Sequence, residues 1–317
     1  MCSAEARPVN LRHFSREEIM EVDPVRIADA MAAGLAMVAR GAAVAPVRGH
    51  IDLGEGAGTF LISGVLTELD LLSVKVINVR PGNPSRGLER LQGSLTVFES
   101  STGRPLATLD ARAATEARTA ACSAVSLRLL ARSDATVLAV IGTGPQAAAH
   151  LKAMTAEKRF DEIRVAGRNP DAARRLADLY GGTSMTTVEA VRGAHVIVTA
   201  TNSTSALFPA NAVEPGTHLA LVGSGNSRAS EVEPQLLARA KAIRVDHRES
   251  CLQESGEIVG ALRAGLIEED AVRELGEVVL GRATGRVSAN DITIYKSVGN
   301  GTQDAALAAL LLGVAIP

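Results

Sequence analysis

The 317-residue sequence predicts an α/β protein in two units: an antiparallel-rich α+β unit over residues 1–118, and a doubly wound α/β unit over 119–301. Three observations predict this. From about Thr136 to Ser297, short β-rich runs alternate with helical stretches, the pattern of strands joined by crossover helices. Those runs are continuously apolar, as in a parallel sheet covered on both faces. Before residue 118 the β-rich runs instead follow one another with turns between them.

In chain order, VRIADAMAAGLAMVARG spaces its apolar residues for a helix with one buried face. TFLISGVL and LLSVKVINV read as strands. SLTVFES and PLATLDA form a hairpin whose turn, STGR, offers glycine where φ is positive. ATEARTAACSAVSLRLLA, Ala114 to Ala131, is a helix that contains the unit boundary. Beyond it TVLAVIG, EIRVAG, HVIVTAT, THLALVG, AIRVD and DITIYKS are strands, and AAAHLKAMTAEK, DAARRLADLY, TTVEAVRG and EVEPQLLARA the helices between them. The terminal AALAALLLGVAIP falls short of the roughly twenty residues of a bilayer span and reads as a packed helix, free to dock on either unit.

Composition excludes several classes of function. Apolar content of 46%, charge of 21% and a net charge of -2 describe a soluble globular protein with no electrostatic call for nucleic acid or an anionic membrane. Aromatics at 2% leave little for base stacking. Cys2, Cys122 and Cys251 show no CxxC or Cys/His clustering, so neither a disulfide frame nor a metal site is expected. The charged start MCSAEARPVNLRHFS has no apolar core and is not read as a signal peptide; a cytoplasmic location is expected.

VIGTGPQAAAH places Gly142, Gly144 and Ala147 between a strand and a helix, the GxGxxA variant of the dinucleotide fingerprint. Gly142 permits the tight turn, Gly144 lets the backbone approach a pyrophosphate, and Ala147 keeps helix and sheet close. A plain strand-to-helix corner is the alternative. The second strand ends in VAGRNPD, with Gly167, Arg168 and Asn169 where an NAD site places an acid for the ribose hydroxyl. A guanidinium there suits a 2′-phosphate, so NADP(H) is favoured, with NAD(H) the alternative; Arg168 as a solvated helix-start residue is the other reading. In the first unit Arg48 follows APV, Arg118 lies on an apolar helix face, and Lys75 sits within an apolar strand, where it is costly to bury without an anionic partner. Each reads either as a salt-bridged residue or, together, as a clamp for a substrate carboxylate.

Over nearly its whole length the sequence resembles the ornithine cyclodeaminase/μ-crystallin family. The resemblance is carried by PVR at Arg48, SVKVINVRPGN, STGRPLATLDA, ATEARTAACSA, VIGTGPQAAAH, HVIVTATNS, PGTHLALVGS and TIYKSVGNGTQDAALAA. It implies a Rossmann-type domain, an N-terminal substrate and dimerisation domain to which helix 302–317 returns, a homodimer, and a tightly bound nicotinamide cofactor acting on amino or imino acids. It further implies that Arg48, Lys75 and Arg118 hold the substrate carboxylate, with Lys75 the acid/base. Arg118, Thr119, Gln146, Arg168, Asn169, Thr201 and Val222 then line the dinucleotide, and Ser297, Val298 and Gly299 lie near the nicotinamide.

The chain departs from true ornithine cyclodeaminases at two acids. TFLISGVLTEL has no acid within the strand, and VGSGNSRASEVE puts Gly225 or Asn226 where an aspartate is expected. Cyclodeamination needs a base for the attacking amine and an acid for leaving ammonia, and Asn226 takes up no proton at neutral pH. Glu68, Asp70 and Glu231 are the nearest acids, and Glu231 reads as a helix-start residue beside a favourable dipole. Imine reduction or amine dehydrogenation needs only cofactor, carboxylate clamp and one proton source. The sequence therefore points to an NADP(H)-dependent ketimine reductase or amino-acid dehydrogenase, with a cyclodeaminase and a catalytically silent binding protein as alternatives.

Overall fold

The structure, a computed structural model, describes residues 11–223 and 225–317; Cys2 and the first ten residues, where a leader was looked for, lie outside them. The first unit runs β1 (Arg12–Phe14), α1 (Arg16–Glu21), α2 (Pro24–Ala39), β2 (Ala43–Val44), β3 (Gly49–Asp52), β4 (Gly58–Leu66), β5 (Leu71–Val79), β6 (Leu91–Glu99) and β7 (Pro105–Asp110). These strands form one sheet, ordered β1-β7-β6-β5-β4-β2, with β3 also on β4. The run from β4 to β7 is antiparallel, and β6 and β7 form the expected hairpin, with Gly103 at φ +72° in its turn. Strand alternation puts Ile62, Gly64 and Leu66 of β4, and Leu71, Ser73 and Lys75 of β5, on the buried face.

α3 (Ala111–Leu130) leaves this sheet capped by Asp110, whose side chain accepts from Ala113 N at 2.7 Å. It is buried almost all round, and its alanines and serines let neighbours approach closely from several sides. Residue 118 lies inside it, so the helix is shared between the two units.

The second unit continues β8 (Val137–Ile141), α4 (Pro145–Glu157), β9 (Glu162–Ala166), α5 (Pro170–Asp178), β10 (Thr183–Ser184), α6 (Thr187–Val191), β11 (Val196–Thr199), β12 (His218–Leu221), α7 (Pro234–Arg239), β13 (Ala240–Val245), α8 (Arg248–Glu254), α9 (Gly256–Arg263), β14 (Val272–Glu274), α10 (Leu275–Val279), β15 (Ile292–Lys296) and α11 (Gly301–Leu312). Its sheet is parallel throughout, in the order β10-β9-β8-β11-β12-β15-β13-β14. Leu138, Val140, Val196, Val198 and Tyr295 pack into one apolar cluster with α3; Ala139, Ile141, Ile197, Leu219 and Ile294 pack into another on the opposite face. Burial of both faces is why these strands read as unbroken apolar runs.

The chain goes from β8 outward through β9 to β10, then returns to β11 on the other side of β8. Such a reversal opens a crevice beyond the strand ends. β15, last in sequence, inserts between β12 and β13 and sends α11 back onto β4, β5 and α2. The backbones touch there: a Cβ on Gly64 would strike Thr302 N, and one on Gly301 would strike the Ser63 backbone. Ser73 Oγ adds a hydrogen bond to Gly301 O at 2.7 Å.

Candidate active site

At the crevice, β8 ends in Gly142, whose φ of +137° is one that side chains rarely adopt, and whose Cβ would stand 2.5 Å from Ala200 O. Its N–H donates to Ala166 O at 2.8 Å, tying the turn to β9. Gly144 is the N-cap of α4, without a side-chain cap, and a Cβ there would meet nothing within 4 Å. The helix therefore opens onto free space with unpaired amides and the positive end of its dipole. Ala147 is fully buried behind it. Gln146 Nε2 donates to Thr115 O at 3.2 Å, while its Oε1 is buried without a partner. The open helix N-terminus fits the pyrophosphate of a dinucleotide, whose oxygens take its free N–H groups.

Arg168 stands exposed at the end of β9 and makes no ion pair or hydrogen bond among the described residues. Asn169 caps α5, accepting from Ala172 N at 3.0 Å. Thr119 Oγ1 donates to Thr115 O, and Val222 N to Thr199 O. Thr201 donates from both N and Oγ1 to Glu231 Oε1, at 2.8 and 2.7 Å, while Thr199 Oγ1 and Gly223 N donate to Oε2 at 2.7 and 2.9 Å. This corrects the reading of Glu231 as a helix-start residue. α7 begins only at Pro234, and Glu231 is fully buried across the ends of β11 and β12. There its carboxylate takes up donors that the sheet ladder leaves unpaired. Burial raises its pKa, against the pull of Lys296 and the threonine hydroxyls. Lys296 itself pairs with Glu257 at 3.0 Å.

On the facing wall Lys75 is 1% exposed, with Nζ 2.8 and 2.7 Å from the two Asp304 oxygens and 3.2 Å from Thr115 Oγ1. Burial lowers its pKa to about 8; Asp304 opposes this, and Arg118 and Arg48 add to it. Arg118 donates to Gln303 Oε1 at 2.7 Å and holds Nε 3.6 Å from Asp304 Oδ1. Gln303 Nε2 donates to Asp246 Oδ2 at 2.9 Å. Asp246, fully buried at the end of β13, also accepts from Ser297 Oγ at 2.8 Å, Gly299 N at 2.7 Å and Val298 N at 3.4 Å. One polar chain thus runs from Lys75 through Asp304, Arg118 and Gln303 to Asp246, and fixes the 297–299 turn.

Arg48 reaches into the same cleft from the loop between β2 and β3. Nε lies 3.0 Å from Glu254 Oε1, while the terminal nitrogens donate to Val298 O at 3.2 Å and Gly225 O at 2.5 Å. Its guanidinium sits 5.3 Å over the Phe60 ring, which stacks on His50. A Cβ at Gly225 would strike that guanidinium, so the missing aspartate and this pose of Arg48 go together. Asn226 is exposed in a turn, accepting from Arg228 N at 2.9 Å. Glu68 pairs with Arg40, and Asp70 bonds Ser101; neither joins the cleft network.

The structure therefore gathers Arg48, Lys75 and Arg118 about one cleft, beside the 297–299 turn, and gives each a protein anion. Sequence reasoning missed four residues that make this possible: Asp246, Glu254, Gln303 and Asp304. A signal existed for the last two, since Gln303 and Asp304 are a polar pair in an otherwise small and apolar helix. Asp246 closes the run AIRVD in the same way.

A family model described as the ornithine cyclodeaminase/mu-crystallin family matches residues 13–313. A Delta(1)-pyrroline-2-carboxylate reductase of Bacillus cereus is 32% identical over 277 residues, covering 84% of this chain and 85% of the relative. The structure of Thermococcus litoralis Delta(1)-pyrroline-2-carboxylate reductase, in complex with NADH and L-proline, superposes with a TM-score of 0.89 at 28% identity, covering 96% of this chain and 99% of that one. The iminosuccinate reductase of Paracoccus denitrificans, in complex with NAD+, superposes with a TM-score of 0.87 at 31% identity, covering 96% and 98%.

Proposed function

The chain belongs to the ornithine cyclodeaminase/mu-crystallin family, and we propose that it is a nicotinamide-dependent oxidoreductase interconverting a carboxylate-bearing imino acid and the corresponding amino acid. The observation that carries this reading is Lys75, buried yet poised near neutrality, in a polar chain that ends at the C-terminal edge of the dinucleotide sheet. The bound cofactor supplies or accepts the hydride at the substrate carbon. Arg48 and Arg118 orient the carboxylate, since the planar guanidinium fork matches it. Lys75 Nζ gives a proton to the nitrogen in reduction and takes it back in oxidation, which a group titrating near the working pH does well. Asp304 holds that ammonium in place, and burial keeps bulk water from it.

Two finer readings accompany this one. No acid stands at residues 167–169, and Arg168 is exposed and unpaired, which supports NADP(H) over NAD(H) through its 2′-phosphate. The outer face of the first sheet pairs Leu61 with Val76 and Leu72 with Val65 and Phe98, with Val74 set between Ser63 and Thr96, opposite the face covered by α11. That apolar stripe supports a homodimer, for which light scattering should give twice the chain mass. No helix among the described residues is long and apolar enough to cross a membrane, and the free, buried thiols of Cys122 and Cys251 suit the reducing cytoplasm we propose.

The test is consumption of NADPH and NADH with pyrroline-2-carboxylate, in wild type, Lys75→Ala and Arg168→Ala. Turnover lost in K75A, with R168A raising KM for NADPH but not NADH, is expected. Failure of turnover with either cofactor, for pyrroline-2-carboxylate and for other carboxylate-bearing imines such as iminosuccinate, would overturn the reductase reading. Ammonia release from L-ornithine would then indicate cyclodeamination, and its absence a silent binding protein.

A further inference from the structure

Arg48 is already engaged by Glu254, the last residue of α8, in a pair whose side chains are 13% and 16% exposed. The second carboxylate oxygen of Glu254, Oε2, is buried with no hydrogen-bond partner. A buried carboxylate oxygen left unpaired is costly, so Glu254 stands beside Arg48 as a carboxylate its surroundings satisfy on one side only.

The charges of the cleft network lead to the same point. Lys75 and Arg118 share Asp304, Arg118 reaches Asp246 through Gln303, and Arg48 faces Glu254. Three cations are thus matched by three carboxylates. A ligand with one carboxylate and one protonated nitrogen leaves this balance intact. A second carboxylate would meet no spare cation, and beside Arg48 it would meet Glu254.

We propose that Glu254 is a specificity-determining residue that restricts the substrate to imino and amino acids with a single carboxylate, turning dicarboxylates away. The inference rests on the carboxylate-binding role proposed above for Arg48 and Arg118. It separates the substrate classes named for the two kinds of relative: pyrroline-2-carboxylate carries one carboxylate, and iminosuccinate carries two. One unit charge a few ångströms away in a half-shielded cleft suffices for about tenfold discrimination.

The experiment measures binding and turnover separately. Calorimetric titration of the protein–cofactor complex compares L-proline with L-aspartate, in wild type and Glu254→Gln. Reductase assays compare pyrroline-2-carboxylate with iminosuccinate formed from oxaloacetate and ammonia. Wild type should bind proline at least tenfold more tightly than aspartate, and E254Q should shrink that ratio at least fivefold by tightening aspartate. An unchanged ratio, or a wild-type preference for aspartate, overturns the proposal. Weakened binding of both acids in E254Q, at an unchanged melting temperature, also overturns it, because Glu254 would then merely hold Arg48 in place. A 254-dependent binding preference without turnover sinks the reductase reading but leaves this inference standing. If wild type binds neither acid, both fall.

Discussion

Asp304→Asn isolates what the carboxylate does for Lys75, since it keeps the shape and an acceptor but removes the charge. In the wild-type protein burial pulls the Lys75 pKa down to about 8 while Asp304 holds it up. Two unit charges about 3 Å apart interact by roughly 5.5 kcal/mol at an effective dielectric near 20, which is about four pKa units at most. With that support gone, burial, Arg118 and Arg48 act unopposed, and Lys75 should titrate about one to three units lower. The stability cost is limited because Lys75 can lose its proton rather than remain a buried, unpaired charge, a state that costs about 3–5 kcal/mol.

The sign of the pH effect follows from the role. As proton donor in reduction, Lys75 is active below its pKa, so wild-type kcat/KM should hold below about pH 8 and fall above it. In D304N the falling limb should move to lower pH, leaving the variant about 3-fold slower at pH 7.5 for a one-unit shift and about 250-fold slower for three, and closer to wild type at pH 5.5. The assay is imine reduction across pH 5–9.5 with both proteins and one substrate, whose own ionisation is common to the two curves. Circular dichroism confirms that the variant is folded. An alkaline limb that does not move, or a rate loss equal at every pH, would show that Asp304 supplies geometry alone and that Lys75 is not the titrating donor.

Two further expectations concern the scaffold. His150 and His218 are buried and neutral, their pKa values pushed to about 4 and about 3 chiefly by burial. His150 Nδ1 faces Gln146 O, an acceptor only, so Nε2 must accept from Ser123 of α3; His218 contacts Ser126 of the same helix. Below the unfolded value near 6.5 the unfolded chain binds these protons and the folded one does not. The contribution of these two histidines to stability should therefore be flat above about pH 6.5 and fall by several kcal/mol toward pH 4, and chemical denaturation of His150→Gln should show a shallower slope there; an identical slope would refute the assignment. Gly142→Ala puts a methyl group against Ala200 O at a φ of +137°. It should cost about 2 kcal/mol or more and weaken cofactor binding at least tenfold by fluorescence titration, and unchanged binding would mean that this turn does not shape the crevice.

What could be read from the sequence was set by local chemistry. The strands of the second unit were visible because burial on both faces makes each of them apolar without interruption, and the glycine turn because only glycine tolerates its backbone. Lys75 was visible as a charge inside an apolar strand. β10 and β14 were not, being two and three residues long at the sheet edges. Glu231 was misread because EVEP looks locally like a helix approach, whereas its partners Thr199 and Thr201 come from a neighbouring strand end. Asp304 lies 229 residues from Lys75, and nothing between them marks the pair. They meet because β15 is inserted in mid-sheet and Gly64 and Gly301 let α11 lie directly on β4. The same insertion puts the 297–299 turn beside Asp246, whose hydrogen bonds and Gln303 carry the link back to Arg118. A cleft built by one helix returning across two sheets joins its groups through long-range contacts, so sequence shows the cations while only the fold shows the anions that set their charge.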